Sequence, residues 1–180
     1  MIFIDVGCWH AGATEQFVNW GQLLTDDLSK SFIYSIEPNP KLKEYWETIR
    51  DRHIKHLAGM EYIPKAAWVE NTTLQLSETD LDLGATVMTE KQGYNEDNLI
   101  SVEAFDFSTW LRGFVGEQVI IKMNCEGAEY PILEKMIKDG TDRIPESIMV
   151  EFHSKKMEGN QIDLENYIKK NIKCKLYEWR

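Results

Sequence analysis

Short apolar runs alternate with amphipathic segments along the chain, and this alternation predicts its secondary structure. The runs at 2–6, 32–36 and 119–123 are mostly apolar and of strand length, which is typical of strands buried on both faces of a sheet. Less regular apolar runs predict four more strands. The full predicted set is 2–6, 32–36, 62–68, 73–76, 119–123, 147–152 and 174–179.

Four segments between these runs carry apolar residues at helical spacing. The first begins near Ala13 and extends to about residue 30. Asn39 and Pro40 supply an N-cap and a first helical position for the second helix, and Gly140 ends the third. The apolar positions of the four helices are Phe17, Trp20, Leu24 and Leu28; Leu42, Tyr45, Trp46 and Ile49; Ile132, Leu133, Met136 and Ile137; and Leu164, Tyr167, Ile168 and Ile172.

Strands that alternate with helices predict an α/β fold with a mostly parallel sheet and helices on both faces. The length of 180 residues favours one domain over 1–180. Ligands of such sheets bind at the carboxyl ends of the strands. The polar segment 80–98 predicts a long loop that either covers this site or has no role in it.

Composition and charge exclude several classes of function. A formal net charge of −10 argues against nucleic-acid binding, which usually needs a basic surface. Cys8, Cys125 and Cys174 form no CxxC pair, so neither a disulfide framework nor a zinc site is predicted, and a reducing, cytoplasmic setting is expected. No apolar run approaches the ~20 residues of a membrane helix. No spacing of histidine, cysteine and acidic residues indicates a metal site.

The turn from Asp5 to Thr14 and the acid Glu37 form the first candidate binding site. Gly7 and Gly12 let the backbone of the turn approach a ligand closely, although two glycines after a strand also suit a purely structural turn. Glu37 follows the second strand, where an acid can accept hydrogen bonds from both hydroxyls of a ribose. Its alternative role is that of a solvated charge before a helix. The turn lacks GxGxxG, so a dinucleotide fingerprint is not met.

Four motifs occur in a fixed order: DVG at 5–7, EP at 37–38, KAAW at 65–68 and KMNCEGAE at 122–129. In this order they resemble the FkbM-like family of class I S-adenosylmethionine-dependent methyltransferases, over about residues 3–153. The resemblance implies a Rossmann-like methyltransferase fold, S-adenosylmethionine as cofactor and O-methylation of a sugar or small-molecule hydroxyl. The predicted cofactor-binding residues are Asp5, Gly7, His10, Gly12, Glu37, Pro38, Ala67 and Asn124. His10 is included for its place in the glycine loop, and its alternative role is to cap the turn.

The chain departs from the family pattern at two places. The loop after Gly7 is one residue longer, so that Ala11 or Gly12 takes the place of the second glycine. Asn124 stands where the family usually has aspartate. An amide keeps an acceptor oxygen and gains a donor, but it cannot serve as a proton acceptor.

The predicted catalytic residues are Asn124, Glu126 and His153. Asn124 and Glu126 end a buried strand and can orient a substrate hydroxyl, and Glu126 is a candidate general base. His153 ends the next strand and is the alternative base, because the ordinary pKa of histidine lies near neutrality. A structural role is the alternative for each of them. For Glu129 a helix-dipole role is favoured, and for Lys122 an ion pair with an acid is at least as plausible as a chemical role.

Two other functions remain open at this point. A module that binds S-adenosylmethionine but has lost turnover is compatible with Asn124. A dinucleotide-dependent oxidoreductase fits less well because GxGxxG is absent. The chain is expected to lack helices that cover the substrate and a final antiparallel strand. The site is then either open to a small-molecule, glycan or protein acceptor, or completed by a second subunit in a homo-oligomer.

Overall fold

Six strands form the central sheet of the computed structural model, which describes residues 1–78, 84–157 and 161–179. The strands of the chain are β1 (Ile2–Val6), β2 (Phe32–Ile36), β3 (Gly59–Ile63), β4 (Ala66–Trp68), β5 (Thr72–Ser77), β6 (Leu99–Asp106), β7 (Val119–Met123), β8 (Ser147–Val150) and β9 (Lys175–Glu178). The helices are α1 (Gly12–Trp20), α2 (Lys43–His53), α3 (Phe107–Leu111), α4 (Glu129–Asp139) and α5 (Gln161–Asn171).

The central sheet has the order β3-β2-β1-β7-β8-β9, and all its neighbouring strands are parallel. The chain builds outward from β1 through β2 to β3 and then returns to the other side of β1 with β7. The strand order therefore reverses between β1 and β7, which is where ligands bind in open parallel sheets. The prediction of a mostly parallel sheet is confirmed.

Helices cover both faces of the sheet, as the sequence predicts. On one face Phe3 and Ile33 pack against Phe17 of α1. On the other face Ile4 and Ile121 belong to the largest core cluster, which includes residues of α3, α4 and α5. Successive residues of a strand point to opposite faces, and both sets are apolar because each face carries helices. Among the helices of the described residues, none has the length and apolar character needed to cross a membrane.

A second, three-stranded sheet has the order β4-β6-β5 and corrects one part of the prediction. The single strand predicted at 62–68 is wrong, because β3 ends at Ile63 in the central sheet and β4 begins at Ala66 in the small one. Pro64 lies between them and has no N–H to donate to a strand partner. Strand β6, which joins β4 and β5, was not predicted.

The first and second helices differ in how well the sequence predicts their bounds. Helix α1 ends at Trp20, and only single 3-10 turns follow at 21–23 and 28–30, so the predicted continuation to about residue 30 is wrong. The cap of the second helical segment is confirmed, since Asn39 Oδ1 accepts a hydrogen bond of 3.0 Å from the N–H of Lys41, with Pro40 at the first position. Part of the loop predicted at 80–98 lies outside the described residues.

Candidate functional site

A cavity of about 330 Å³ lies at the carboxyl ends of β1, β2 and β7. Six of the predicted cofactor-binding residues line it, and among the described residues Asp5 and His10 lie outside its lining. The predicted catalytic residues Asn124 and Glu126 also line the cavity, whereas His153 lies behind Glu126. The six cofactor residues are Gly7, Gly12, Glu37, Pro38, Ala67 and Asn124.

The turn after β1 packs backbone against backbone on the turn after β7. Gly7 has φ +69°, and a Cβ there would lie 1.9 Å from the carbonyl oxygen of Asn124. The N–H groups of Gly7 and Cys8 both donate to the carbonyl of Ile36 at the end of β2. The turn also places Trp9 in the left-handed region, at φ +45°. Only glycine fits at position 7, because a Cβ there would collide with the Asn124 carbonyl. The turn is therefore fixed between the end of β2 and the end of β7.

Asp5 and Lys122 support this turn from inside the sheet. The Lys122 ammonium lies 3.0 Å from Asp5 Oδ1 and donates a hydrogen bond of 2.8 Å to the carbonyl of Gly7. Thr14 donates to the other oxygen of Asp5, which is fully buried. Burial lowers the pKa of Lys122, but the Asp5 carboxylate more than offsets this, so the net pKa lies above its ordinary value. In this arrangement Asp5 shapes the cavity through Lys122.

Glu37 presents a nearly buried carboxylate at the end of β2. Its two oxygens accept hydrogen bonds from the N–H of Trp9, at 3.1 Å, and of Asn39, at 3.0 Å. Burial raises the pKa of Glu37, and the bonds from Asn39 and Trp9 offset this only in part. A carboxylate has about four acceptor positions, so about two are left for ligand hydroxyls.

His10 is held in an aromatic stack beside the cavity. Its ring lies between the rings of Trp9 and Tyr45, with centroid distances of 3.9 Å on both sides. Trp9 lines the cavity, and His10 supports it from behind. A cofactor contact of His10 therefore stays a prediction, whereas its contact with Trp9 is part of the structure.

Asn124 lines the cavity, and Glu151 orients its side-chain amide. Its Nδ2 donates a hydrogen bond of 2.8 Å to Glu151, which fixes the orientation because a carboxylate accepts and does not donate. Oδ1 is buried and has no hydrogen-bond partner among the described residues. An unpaired buried acceptor costs about 1–3 kcal/mol, which a ligand with an O–H or N–H group would recover.

Glu126 and His153 form an ion pair within a buried cluster of charges. His153 Nε2 lies 3.4 Å from Glu126, and Nδ1 lies 2.9 Å from Glu129. Burial lowers the pKa of His153, but its interactions with the Glu126 and Glu129 carboxylates raise it to about 9 overall. Burial likewise raises the pKa of Glu126, yet His153 and Lys91 bring it down to about 2. Near neutral pH the histidine is therefore protonated and the carboxylate ionised.

Glu129 has a structural role in this cluster. It is fully buried at the start of α4, where one oxygen accepts from the N–H of Gly127 and the other from the N–H of His153. The carboxylate thus joins the turn after β7 to the segment after β8. Among the described residues, no group of three or more histidine, cysteine or acidic residues could hold a metal ion.

A comparison with known protein families shows to which family the chain belongs. The model of the methyltransferase FkbM domain family matches residues 10–171, which is most of the sequence. The chain belongs to this family. The FkbM domain is also similar to the crystal structure of methyltransferase FkbM from Methylobacillus flagellatus KT, with a TM-score of 0.57 and 12% sequence identity. No curated protein sequence matched.

The chain spans only part of the length of that larger protein. The match covers 94% of this chain and 36% of the other. At this identity the similarity shows the fold, and the Rossmann-like arrangement predicted from the sequence is confirmed. The suggested methyltransferase activity rests on the family.

Several residues of the FkbM domain that line or support the cavity were not predicted. Ala85, Thr86 and Val87 form one wall, and Lys91 anchors it. Trp179 contributes from the end of β9. The loop predicted at 80–98 includes the residues of this wall. No local sequence pattern identifies the individual residues, because the residues that they contact are distant in sequence.

Proposed function

We propose that the FkbM domain binds S-adenosylmethionine in this cavity and transfers its methyl group to a hydroxyl of a sugar or another small molecule. The observation that carries the proposal is the convergence of Gly7, Glu37 and Asn124 on one cavity at the reversal of strand order. Family membership supports methyl transfer. The choice of a hydroxyl acceptor comes from the resemblance of the sequence motifs.

The lining of the cavity fits an adenosyl group with an amino acid tail. Glu37 retains acceptor positions suited to the two ribose hydroxyls, and Asn124 Oδ1 lacks a donor. Ile36, Ala67 and Leu76 give an apolar surface suited to the adenine ring. The closely packed turn at Gly7 leaves the backbone, with no side chain, facing the cavity.

S-adenosylmethionine supplies an electrophilic methyl group bound to a positively charged sulfur. In-line transfer of that methyl group would form a carbon–oxygen bond as the carbon–sulfur bond breaks, with S-adenosylhomocysteine leaving and the hydroxyl proton passing to water. The largest contribution of the domain would then be alignment of the acceptor oxygen. Asn124 Oδ1 can accept a hydrogen bond from the acceptor hydroxyl and so orient its oxygen. The wall at 84–87 lines one side of the cavity.

The catalytic roles predicted for Glu126 and His153 stay predictions, and their geometry favours a supporting role. Protonated His153 has no free lone pair, and both ring nitrogens face carboxylates. A carboxylate with a pKa of about 2 is a weak base. This pairing favours a second candidate function, a domain that binds S-adenosylmethionine without turning it over.

Binding and turnover should be measured separately. Calorimetric titration with S-adenosylmethionine and S-adenosylhomocysteine tests the cavity. Transfer of a radiolabelled methyl group to a panel of monosaccharides, disaccharides and simple phenols tests the activity. Binding with transfer to a hydroxyl compound would support the proposal, and binding without any transfer would support the second candidate. A folded protein that binds neither compound would refute both.

A further inference from the structure

Lys91 is a buried lysine to which the proposed function gives no role. Only 6% of the residue is exposed, and it belongs to the segment between β5 and β6. Its ammonium lies 2.7 Å from Glu126 Oε2 and donates a hydrogen bond of 2.8 Å to the carbonyl of Gly84. Burying an ammonium is strongly unfavourable without such partners. These two contacts set the position of the Lys91 ammonium, while an antiparallel bridge to Met157 holds its backbone.

The two partners of Lys91 lie on different walls of the cavity. Gly84 begins the wall that continues through Ala85 to Val87, whereas Glu126 lies on the turn after β7. A second link runs parallel to the first, because the Thr86 hydroxyl donates to the backbone carbonyl of Glu126 at 2.8 Å. The wall is thus attached to the turn by one ion pair and one hydrogen bond.

The turn that receives these contacts is itself held in place. Glu126 has φ +53°, a conformation that is uncommon for a residue with a side chain and persists only where surrounding contacts enforce it. His153 Nε2, at 3.4 Å, and Lys156 Nζ, at 3.8 Å, approach the same Oε2 as Lys91. Since Glu126 would keep these two cations, neutralising Lys91 would not leave its carboxylate unpaired.

We propose that Lys91 is a positioning residue, which sets the affinity of the cavity for its adenosyl ligand by fixing the wall at 84–87 against Glu126. The proposal rests on the proposed function only in that the cavity binds S-adenosylmethionine or its product. Lys91 itself acts through Gly84 and Glu126. If the wall spends time detached, the apparent affinity falls in proportion to the fraction of molecules in which it is attached.

The test compares Lys91→Met, which removes the charge at similar length, with Lys91→Arg, which keeps it. Calorimetry with S-adenosylhomocysteine requires no acceptor. We expect Lys91→Met to weaken binding about tenfold, if attachment falls to about a tenth, and Lys91→Arg to restore it to within about threefold. Amide hydrogen exchange at 84–91 should accelerate in Lys91→Met and not in Lys91→Arg. The control Lys138→Met removes an exposed ion pair with Glu134 on α4 and should change neither quantity.

The outcomes separate this inference from the proposed function. Failure of the wild-type domain to bind S-adenosylhomocysteine would refute the proposed function. Wild-type binding together with unchanged affinity in Lys91→Met would overturn the role of Lys91. If Lys91→Met does not fold, Thr86→Val removes the parallel link without burying a charge; because it also frees the N–H of Met88, exchange is read at the other amides of 84–91. Faster exchange at 84–91 with weaker binding in Thr86→Val supports attachment of the wall, and unchanged exchange in that variant overturns it.

Discussion

Replacement of Glu37 by alanine tests the proposed cofactor site most directly. Glu37 is 8% exposed and lines the cavity, and its carboxylate accepts hydrogen bonds from the N–H groups of Trp9 and Asn39. Glu37→Ala removes the acceptors proposed for the ribose hydroxyls and also leaves both N–H groups without their partner. The variant should therefore lose both affinity and stability, and the two losses have separate measurements.

The expected losses follow from ordinary hydrogen-bond energies. A hydrogen bond to a charged group contributes about 1.5–3 kcal/mol, and about 1.4 kcal/mol corresponds to a tenfold change in affinity. Loss of one ribose contact should thus weaken binding about tenfold or more, and loss of both about a hundredfold. The two freed N–H groups should cost roughly 2 kcal/mol of stability, which lowers the melting temperature of a chain of this length by about 4–8 °C.

Calorimetry with S-adenosylhomocysteine measures the affinity, and thermal unfolding monitored by circular dichroism measures the stability. Glu61→Ala, which removes an exposed acid of β3, is the matched control and should alter neither value by much. Glu37→Gln keeps one acceptor oxygen and should give intermediate values. A folded Glu37→Ala protein with wild-type affinity would refute the ribose contact, and an unchanged melting temperature would refute the support of Trp9 and Asn39.

Three further predictions concern the turn and the buried charges. Gly7→Ala should prevent stable folding, because its Cβ would lie 1.9 Å from a backbone oxygen. Gly12→Ala has nothing within 4 Å of its Cβ, so it should show a normal thermal unfolding transition. The same variant should bind S-adenosylmethionine more weakly in calorimetry. Lys122→Met should cost about 3–5 kcal/mol in urea unfolding because it leaves Asp5 buried and unpaired, and adding Asp5→Asn should recover part of this. His153 has a raised pKa of about 9, so its stabilisation should be complete below pH 6.5 and lost as pH rises through 9, by about 3 kcal/mol at most in urea unfolding across this range.

Each of these predictions has an outcome that contradicts it. A stable Gly7→Ala protein would mean that the two turns are not in close contact, and wild-type affinity in Gly12→Ala would place the ligand away from that glycine. Additive losses in the double variant of Lys122 and Asp5 would show that the two charges are not coupled. An equal loss of stability with rising pH in His153→Gln would assign that loss to other groups.

The central sheet was predictable from the sequence because its strands are buried on both faces. The runs at β1, β2 and β7 are mostly apolar and of strand length, so their bounds agree with the structure. Strand β6 was missed because only alternate residues such as Val102 and Ala104 are buried, while Glu103 between them is exposed. Its acidic positions obscure a pattern that period-two alternation could have revealed.

The polar residues around the cavity were predictable in position but not in pairing. Asn124, Glu126 and His153 follow strands that end at the same edge of the sheet, so their proximity follows from a parallel arrangement. Which carboxylate would neutralise the histidine depends on side-chain packing between segments that are far apart in sequence. The anchor at Lys91 lies in a polar segment without periodicity, and only the folded structure reveals its contact with Glu126.

The contact between Asp5 and Lys122 links assembly of the sheet to accuracy of the site. These residues are direct partners in the register of β1 and β7, and their side chains meet on the same face. A register shift of one residue between β1 and β7 would turn Lys122 to the opposite face of the sheet. The buried Asp5 carboxylate would then have no ion-pair partner, and the carbonyl of Gly7 would lose its hydrogen bond. Misaligned strands are thus penalised electrostatically as well as by packing. In a correctly assembled sheet, the same contact fixes the position of the turn that borders the cavity.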